Sequence, residues 1–350
     1  MPIEVLRMRF KIFCVFALST LLLCGCGKAE TITELPAESL PPQVSTPVLS
    51  EEELQQAYID AVKIDIQNME AEAALIAEVA AAAIPDILEP MASGELVFEN
   101  DKVIIDYSNT ADGYIMVSYK AETERRIKVR VERSTTYTYN LPIGEWAVFP
   151  LSDGNGSYQF KVYECISGSQ YSLVAAEKCD VVLADEFAPF LRPNQYVDYS
   201  ASSKAVETAW ELTKGIDAPL DKVSAVYNYV VKELSYDTHR AATVKSGYIP
   251  VLDSVLEEKK GICFDYAALM TGMLRSQGIP CKMVFGYTGG AYHAWISVWT
   301  EDTGWVDGVI FFDGVAWQRL DPTFASYDNQ SDAIMRYIGN GSNYSEKYFY

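Results

Sequence analysis

The sequence predicts an α+β chain in three folded parts: an N-terminal helix, an all-β sandwich, and a C-terminal domain in which helices pack on a sheet. Apolar residues first recur at threes, fours and sevens, as Leu54, Tyr58, Val62, Met69, Ile76 and Ala80. Near residue 95 the period changes to two, and beyond Pro193 it becomes helical again. The chain's 350 residues exceed what one core usually organises, and 49% hydrophobic content suffices to bury more than one.

At the N-terminus, Arg7, Arg9 and Lys11 precede an uncharged run from Ile12 to Leu23, too short to span a bilayer but suited to a secretory signal. It ends in Leu23-Cys24-Gly25-Cys26, which resembles the lipobox of bacterial lipoproteins. The resemblance implies a signal peptide over 1–25, cleavage before Cys26, and lipid on the Cys26 thiol as the membrane anchor. The expected location is therefore extracytoplasmic, lipid-anchored to the bacterial cell membrane. Residues 26–50 hold Pro36, Pro41, Pro42 and Pro47 without an apolar period and read as an extended tether.

A helical segment is expected over 51–92. Ser50 with Glu53 forms a capping box, acids occupy the positive helix end, and the helix stops at Pro85. It reads as a stalk or packing helix.

Over 93–190, Ile127, Val129 and Val131 alternate with charged residues, as Tyr158, Phe160 and Val162 alternate with Gln159 and Lys161. Turn sequences at Thr110–Gly113, Asp153–Gly156 and Gly168 space seven or eight short strands as in an immunoglobulin-like sandwich. Asp153, Asn155, Ser157 and Glu164 match part of a calcium-loop template, but Tyr158 stands where that loop needs glycine, so a hairpin turn is expected. Cys165 and Cys179 are candidates for a disulfide in an exported chain, yet strand alternation sets them on opposite faces.

The C-terminal domain is expected over 200–350, with Leu220, Val223, Val226, Val230 and Leu234 on one helical stripe after Pro219. The closing Tyr344, Tyr348, Phe349 and Tyr350 are expected to pack back onto it.

Charge and histidine count exclude whole classes of function. Forty-eight acidic against 28 basic side chains give a net charge of -20, which repels nucleic acid. Two histidines exclude a multi-histidine metal centre, and neither a metal nor a cofactor is expected. Of the two, His239 lies in a polar stretch and reads as a solvated loop residue.

The chemistry concentrates in Gly261-Ile262-Cys263-Phe264-Asp265-Tyr266, where a loop ends and a helix begins beside Cys263, running to Gly278. First-turn N–H groups and the positive helix end favour a thiolate and can donate to a developing oxyanion. The competing reading is a core cysteine, because Cys263, Ala267, Met270 and Leu274 share a helical stripe. After a hinge-like Gly289-Gly290, the strand Tyr292–Trp299 carries His293 on the same face as Trp295. Asp321 ends a later strand before Pro322 and has the chemistry to orient an imidazole. For Asp321 to reach His293 their strands must be antiparallel neighbours, so residues 302–314 are expected to leave the sheet or form an edge excursion.

GICFDYAALMTGMLRSQGIPCKMV at 261–284, HAWISV at 293–298 and LDPTF at 320–324 together resemble the transglutaminase-like family. The resemblance covers roughly residues 205–330 and implies a papain-like core with Cys263 as nucleophile, His293 as base and Asp321 as orienter. It also implies an acyl-thioester formed from an amide of a protein or peptide substrate at the cell surface or wall, then resolved by an amine or by water. Peptidase, deamidase and cross-linker all fit that chemistry. No calcium-site motif accompanies the triad. Tyr266, Tyr292 and Trp295 are candidates for a substrate groove, or equally for core. A non-catalytic cell-surface binding module that keeps the fold is the alternative, and exposure of Cys263 separates the two.

Overall fold

The computed structural model describes residue 50, scattered helical positions between 52 and 69, and residues 84–307, 309–312, 317–320 and 343–350; over 306–320 only the backbone is described. The expected signal and tether, Cys26, most of the expected capping box and the 70–83 half of the expected helix lie outside the described residues. The chain forms two units, Met1–Asn68 and Met69–Tyr350. In the first, the described positions from 52 onward are helical, with Asp60 accepting from Gln56 Nε2 at 3.0 Å one turn away. No helix among the described residues is long and apolar enough to cross a membrane.

The second unit opens with eight strands: β1 (Val97–Glu99), β2 (Val103–Asp106), β3 (Tyr114–Tyr119), β4 (Ile127–Glu132), β5 (Thr136–Leu141), β6 (Trp146–Pro150), β7 (Gly156–Ser167) and β8 (Gln170–Val181). They form two antiparallel sheets, β1-β2-β3-β6 and β5-β4-β7-β8. The β4–β5 hairpin interrupts the pairing of β3 with β6, giving the crossed connectivity of an immunoglobulin-like sandwich. Alternation sets the faces: Ile127, Val129 and Val131 are buried while Arg130 is exposed. Asp153–Gly156 is the turn into β7, with Gly154 at φ 75°. Cys165 and Cys179 are both free, and Cys165 pairs with Tyr171 while Cys179 pairs with Tyr158. They sit at opposite ends of the β7–β8 ladder, which is why no bridge forms.

The domain that follows contains α1 (Lys204–Thr213), α2 (Pro219–Glu233), β9 (Ser235–Tyr236), α3 (Thr238–Thr243), α4 (Leu252–Glu258), β10 (Lys260–Gly261) and α5 (Cys263–Arg275). Then come β11 (Cys281–Thr288), β12 (Ala291–Thr300), β13 (Gly304–Asp307), β14 (Val309–Phe312), β15 (Trp317–Leu320) and β16 (Tyr344–Phe349). α5 is buried at every position from Asp265 to Arg275, because α1, α2 and α4 pack against it as well as β11 and β12. Its end is set by Gly278 at φ 73°, with the Ile279 N–H donating to the Leu274 carbonyl at 3.1 Å.

β11 and β12 form an antiparallel hairpin that closes Thr288 onto Ala291. Gly289 and Gly290, at φ 54° and 86°, are its two-residue turn and not a hinge; both central positions need the positive φ that glycine supplies without strain. Residues 302–314 divide: β13 stays beside β12 as an edge strand, whereas β14 pairs with β15 in a separate two-stranded sheet.

β16 pairs antiparallel with β11, on the side away from β12. This delivers Tyr350 into a cluster with Tyr137 and Tyr139 of the sandwich, Tyr196 of the connection and Phe285 of β11, at centroid distances of 4.8–5.7 Å. The Gln195 N–H meanwhile donates to Val148 O and its Nε2 to Asn140 O, so the connection bonds the edge strands of both sheets. The two domains share one aromatic seam. Tyr350→Ala is therefore expected to cost about 3 kcal/mol, as removal of a buried aromatic does, read as a lower midpoint in urea denaturation.

Candidate active site

Cys263 is the first residue of α5, after Ile262 in extended conformation. Asp265, at the third helical position, accepts the Ile262 N–H at 2.7 Å through Oδ2. Its other oxygen accepts the Tyr248 hydroxyl at 2.6 Å, and Arg240 Nη1 lies 3.6 Å from Oδ2. Asp265 is fully buried, and burial raises its carboxyl above the usual range while the Tyr248 and Ile262 bonds oppose that rise. This carboxylate holds the backbone next to Cys263 and ties the loop at Tyr248 to the same helix start. Gly261 leaves the needed room, because a Cβ there would meet Asp265 Cβ at 2.5 Å. Asp265→Ala is expected to cost roughly 2–3 kcal/mol, since Ile262 N–H and the Tyr248 hydroxyl lose their acceptor; comparing urea midpoints measures it.

Cys263 is half-buried and lines a cleft of ≈ 540 Å³. One wall comes from the sandwich, through Lys128, Thr138 and Asn140, and another from the loop Val244–Ile249. Aromatic rings of Phe264, Phe285, Tyr292 and Tyr350 complete it. Ala267, Met270 and Leu274, which share the helical stripe of Cys263, are fully buried. The thiol is thus the member of that stripe that opens on the cleft, unlike the core cysteine that the stripe alone allows. By contrast Cys281 is sealed, and burial pushes its thiol up to about 12.

Of the groove candidates, Tyr292 is 53% exposed and lines the cleft. Tyr266 and Trp295 do not: both are fully buried, Tyr266 inside α5 and Trp295 in β12. Their place in the core corrects the groove assignment, because a helix packed on all sides and a central strand leave no open face there. Phe264, whose ring lies 4.9 Å from that of Phe285, lines the cleft instead.

His293 follows Tyr292 on β12 and is buried, its ring 6.2 Å from that of Trp295 at 26°. Its cross-strand partner is Gly286, where a Cβ would meet the Trp295 ring at 2.6 Å. Only glycine opposite His293 leaves space for that indole. Asp321 and Pro322 lie outside the described residues; β15 ends at Leu320, and its described partner is β14. His239 is exposed on the short helix α3, not in a loop. Among the described residues no cluster of His, Cys, Asp or Glu has the makings of a metal site.

Several site residues escape sequence reasoning. Asp265 carried a signal, an acid at the third position of a helix. Tyr248, Lys128, Asn140 and Tyr350 reach the cleft only through contacts between distant segments, which no local pattern announces.

Residues 206–308 match the family described as the transglutaminase-like superfamily. The chain is 26% identical over 228 residues to "Uncharacterized protein YebA" of Bacillus subtilis (strain 168), covering 54% of this chain and 31% of that one. It is 32% identical over 68 residues to a "Protein-glutamine gamma-glutamyltransferase" of Pseudomonas aeruginosa, covering 15% and 10%. The chain therefore spans less than a third of either relative. The crystal structure of red sea bream transglutaminase aligns at 13% identity with a TM-score of 0.28, over 65% of this chain and 53% of that one. Residues 206–308, which include the α5 start with Cys263 and the β12 strand with His293, thus carry the match to the transglutaminase-like superfamily.

Proposed function

We propose that the protein is a cysteine acyl-transfer enzyme acting on carboxamide or peptide bonds, with Cys263 as nucleophile, His293 as base and Asp321 as the residue that orients the imidazole. The observation that carries this reading is a half-buried thiol at a helix N-terminus opening on a cleft. The thiolate adds to the amide carbon while first-turn N–H groups stabilise the oxyanion. Collapse breaks the C–N bond, the proton held on His293 goes to the leaving nitrogen, and a thioester remains on Cys263. Water then gives an acid, or a primary amine gives a new amide, and either restores the thiol.

The protein acts outside the cytoplasm, held to the membrane by lipid on Cys26; the support for this is the uncharged run before Leu23-Cys24-Gly25-Cys26. Its substrate is a protein or peptide at the cell surface or wall. Incubating the purified protein with cell-wall peptides and extracellular proteins, with and without a primary amine, distinguishes the possible outcomes by mass spectrometry. Amine incorporation marks transfer, conversion of glutamine to glutamate marks deamidation, and chain scission marks a peptidase. Absence of any product that depends on Cys263 favours the non-catalytic binding module.

A further inference from the structure

The cleft has a charge opposite to that of the chain. The protein carries 48 acidic and 28 basic residues, yet among the described residues the cleft beside Cys263 is lined by Lys128 and Lys245 and by no aspartate or glutamate. The nearby carboxylate of Asp265 is fully buried beneath Tyr248 and taken up by its hydrogen bonds. Neither lysine forms an ion pair among the described residues, and Lys128 Nζ is held by the Asn140 side-chain oxygen at 3.3 Å. Arg130 on β4 and Arg126 just before it flank Lys128 on the same face, and burial, followed by these two charges, lowers the Lys128 pKa.

Lys128 also lines a second concavity of ≈ 200 Å³ with Arg130, Tyr163, Ser169 and Tyr171, again without an acidic residue among the described ones. The two hollows therefore share Lys128, and together they run from Cys263 onto the outer face of the sandwich. Arg130 is partly neutralised by Glu132 at 3.7 Å, which Lys161 also contacts, so Lys128 and Lys245 carry most of the uncompensated charge.

We propose that this track binds an acidic peptide segment, so that the substrate places carboxylates on Lys128 and Lys245 while its reactive amide lies at Cys263. This rests on the acyl-transfer reading and adds the class of substrate to it. A recess of one sign in a chain of the other raises the local concentration of its complement and selects among peptides that all carry the same amide. The sandwich is then a specificity wall as well as a scaffold, because Lys128 belongs to β4.

The test measures binding separately from chemistry. Three fluorescein-labelled peptides with a central glutamine, flanked by glutamates, serines or lysines, are titrated into the Cys263→Ala protein and followed by fluorescence anisotropy. The glutamate peptide is expected to bind about tenfold more tightly than the serine peptide and more tightly still than the lysine peptide, with the difference shrinking at high salt. Lys128→Glu and Lys245→Glu should each erase about fivefold of that preference in protein whose circular dichroism is unchanged. Equal affinity for all three peptides, no saturable binding of any, or indifference to both charge reversals would overturn the proposal. If the preference holds but wild-type protein forms no Cys263-dependent product from the glutamate peptide, the acyl-transfer reading fails alone. If product forms equally from all three, the substrate class fails alone.

Discussion

Replacing Cys263 with alanine is expected to lower turnover of any amide substrate by at least about 10³-fold, because the thioester can no longer form. The same change should leave the urea midpoint within about 1 kcal/mol of wild type. Cys263 is half-buried at the mouth of the cleft, and its truncation opens no sealed cavity. A large loss of activity with preserved stability separates a nucleophile from a core cysteine, whose truncation would do the reverse. Intact-mass measurement during incubation with substrate reads the thioester adduct directly, in wild type and not in the variant.

The second large effect falls far from the thiol. Arg275 closes α5 and is almost wholly buried, and its guanidinium donates to three backbone carbonyls: Cys281 at 2.9 Å, Arg192 at 2.7 Å and Tyr350 at 2.6 Å. One side chain thus joins the helix, the start of β11, the middle of the interdomain connection and the residue after β16. Burial lowers its pKa, so these carbonyl dipoles take the place that water or a carboxylate would fill. Arg275→Met keeps much of the volume and removes a charged donor from three acceptors, of which Tyr350 O keeps the Met283 N–H at 2.9 Å, at an expected cost of roughly 4 kcal/mol. Arg275→Lys should recover only part of it, since an ammonium cannot reproduce the planar fork. Urea denaturation of the two variants beside wild type gives the comparison, and equal midpoints for methionine and arginine would refute this account of the hub.

How much of this was legible beforehand depends on the range of the interaction. The start of α5 at Cys263 is a local event, set by Asp265 and an extended Ile262, and the sequence pattern places it correctly. The sandwich strands follow from alternation, as in β4, where buried valines face the opposite sheet. Tyr344–Phe349 reads as packing residues, but nothing in its pattern indicates a strand added beside β11, because pairing across more than fifty residues is decided by what edge remains open. Gly289-Gly290 looks like a hinge until the register shows Thr288 opposite Ala291. Tyr266 and Trp295 show the same limit: an aromatic near a nucleophile belongs to groove or core according to which neighbours arrive, and here those neighbours are helices on one side and Gly286 on the other. Lys128 had no local reason to be linked with Cys263, since the two meet only when the sandwich and the helix share a cleft.

The central claim is that Cys263 is the reactive thiol of this molecule, and alkylation mapped residue by residue tests it most directly. The folded protein is treated briefly with iodoacetamide at mildly acidic pH, quenched, digested, and each cysteine peptide quantified. Cys263 should be modified well ahead of the others. Cys281 is buried with its thiol pushed up to about 12, and Cys179 is held back by a thiol pKa that burial raises. Modification of Cys179 as fast as Cys263, or an unmodified Cys263 in folded protein, would contradict the account.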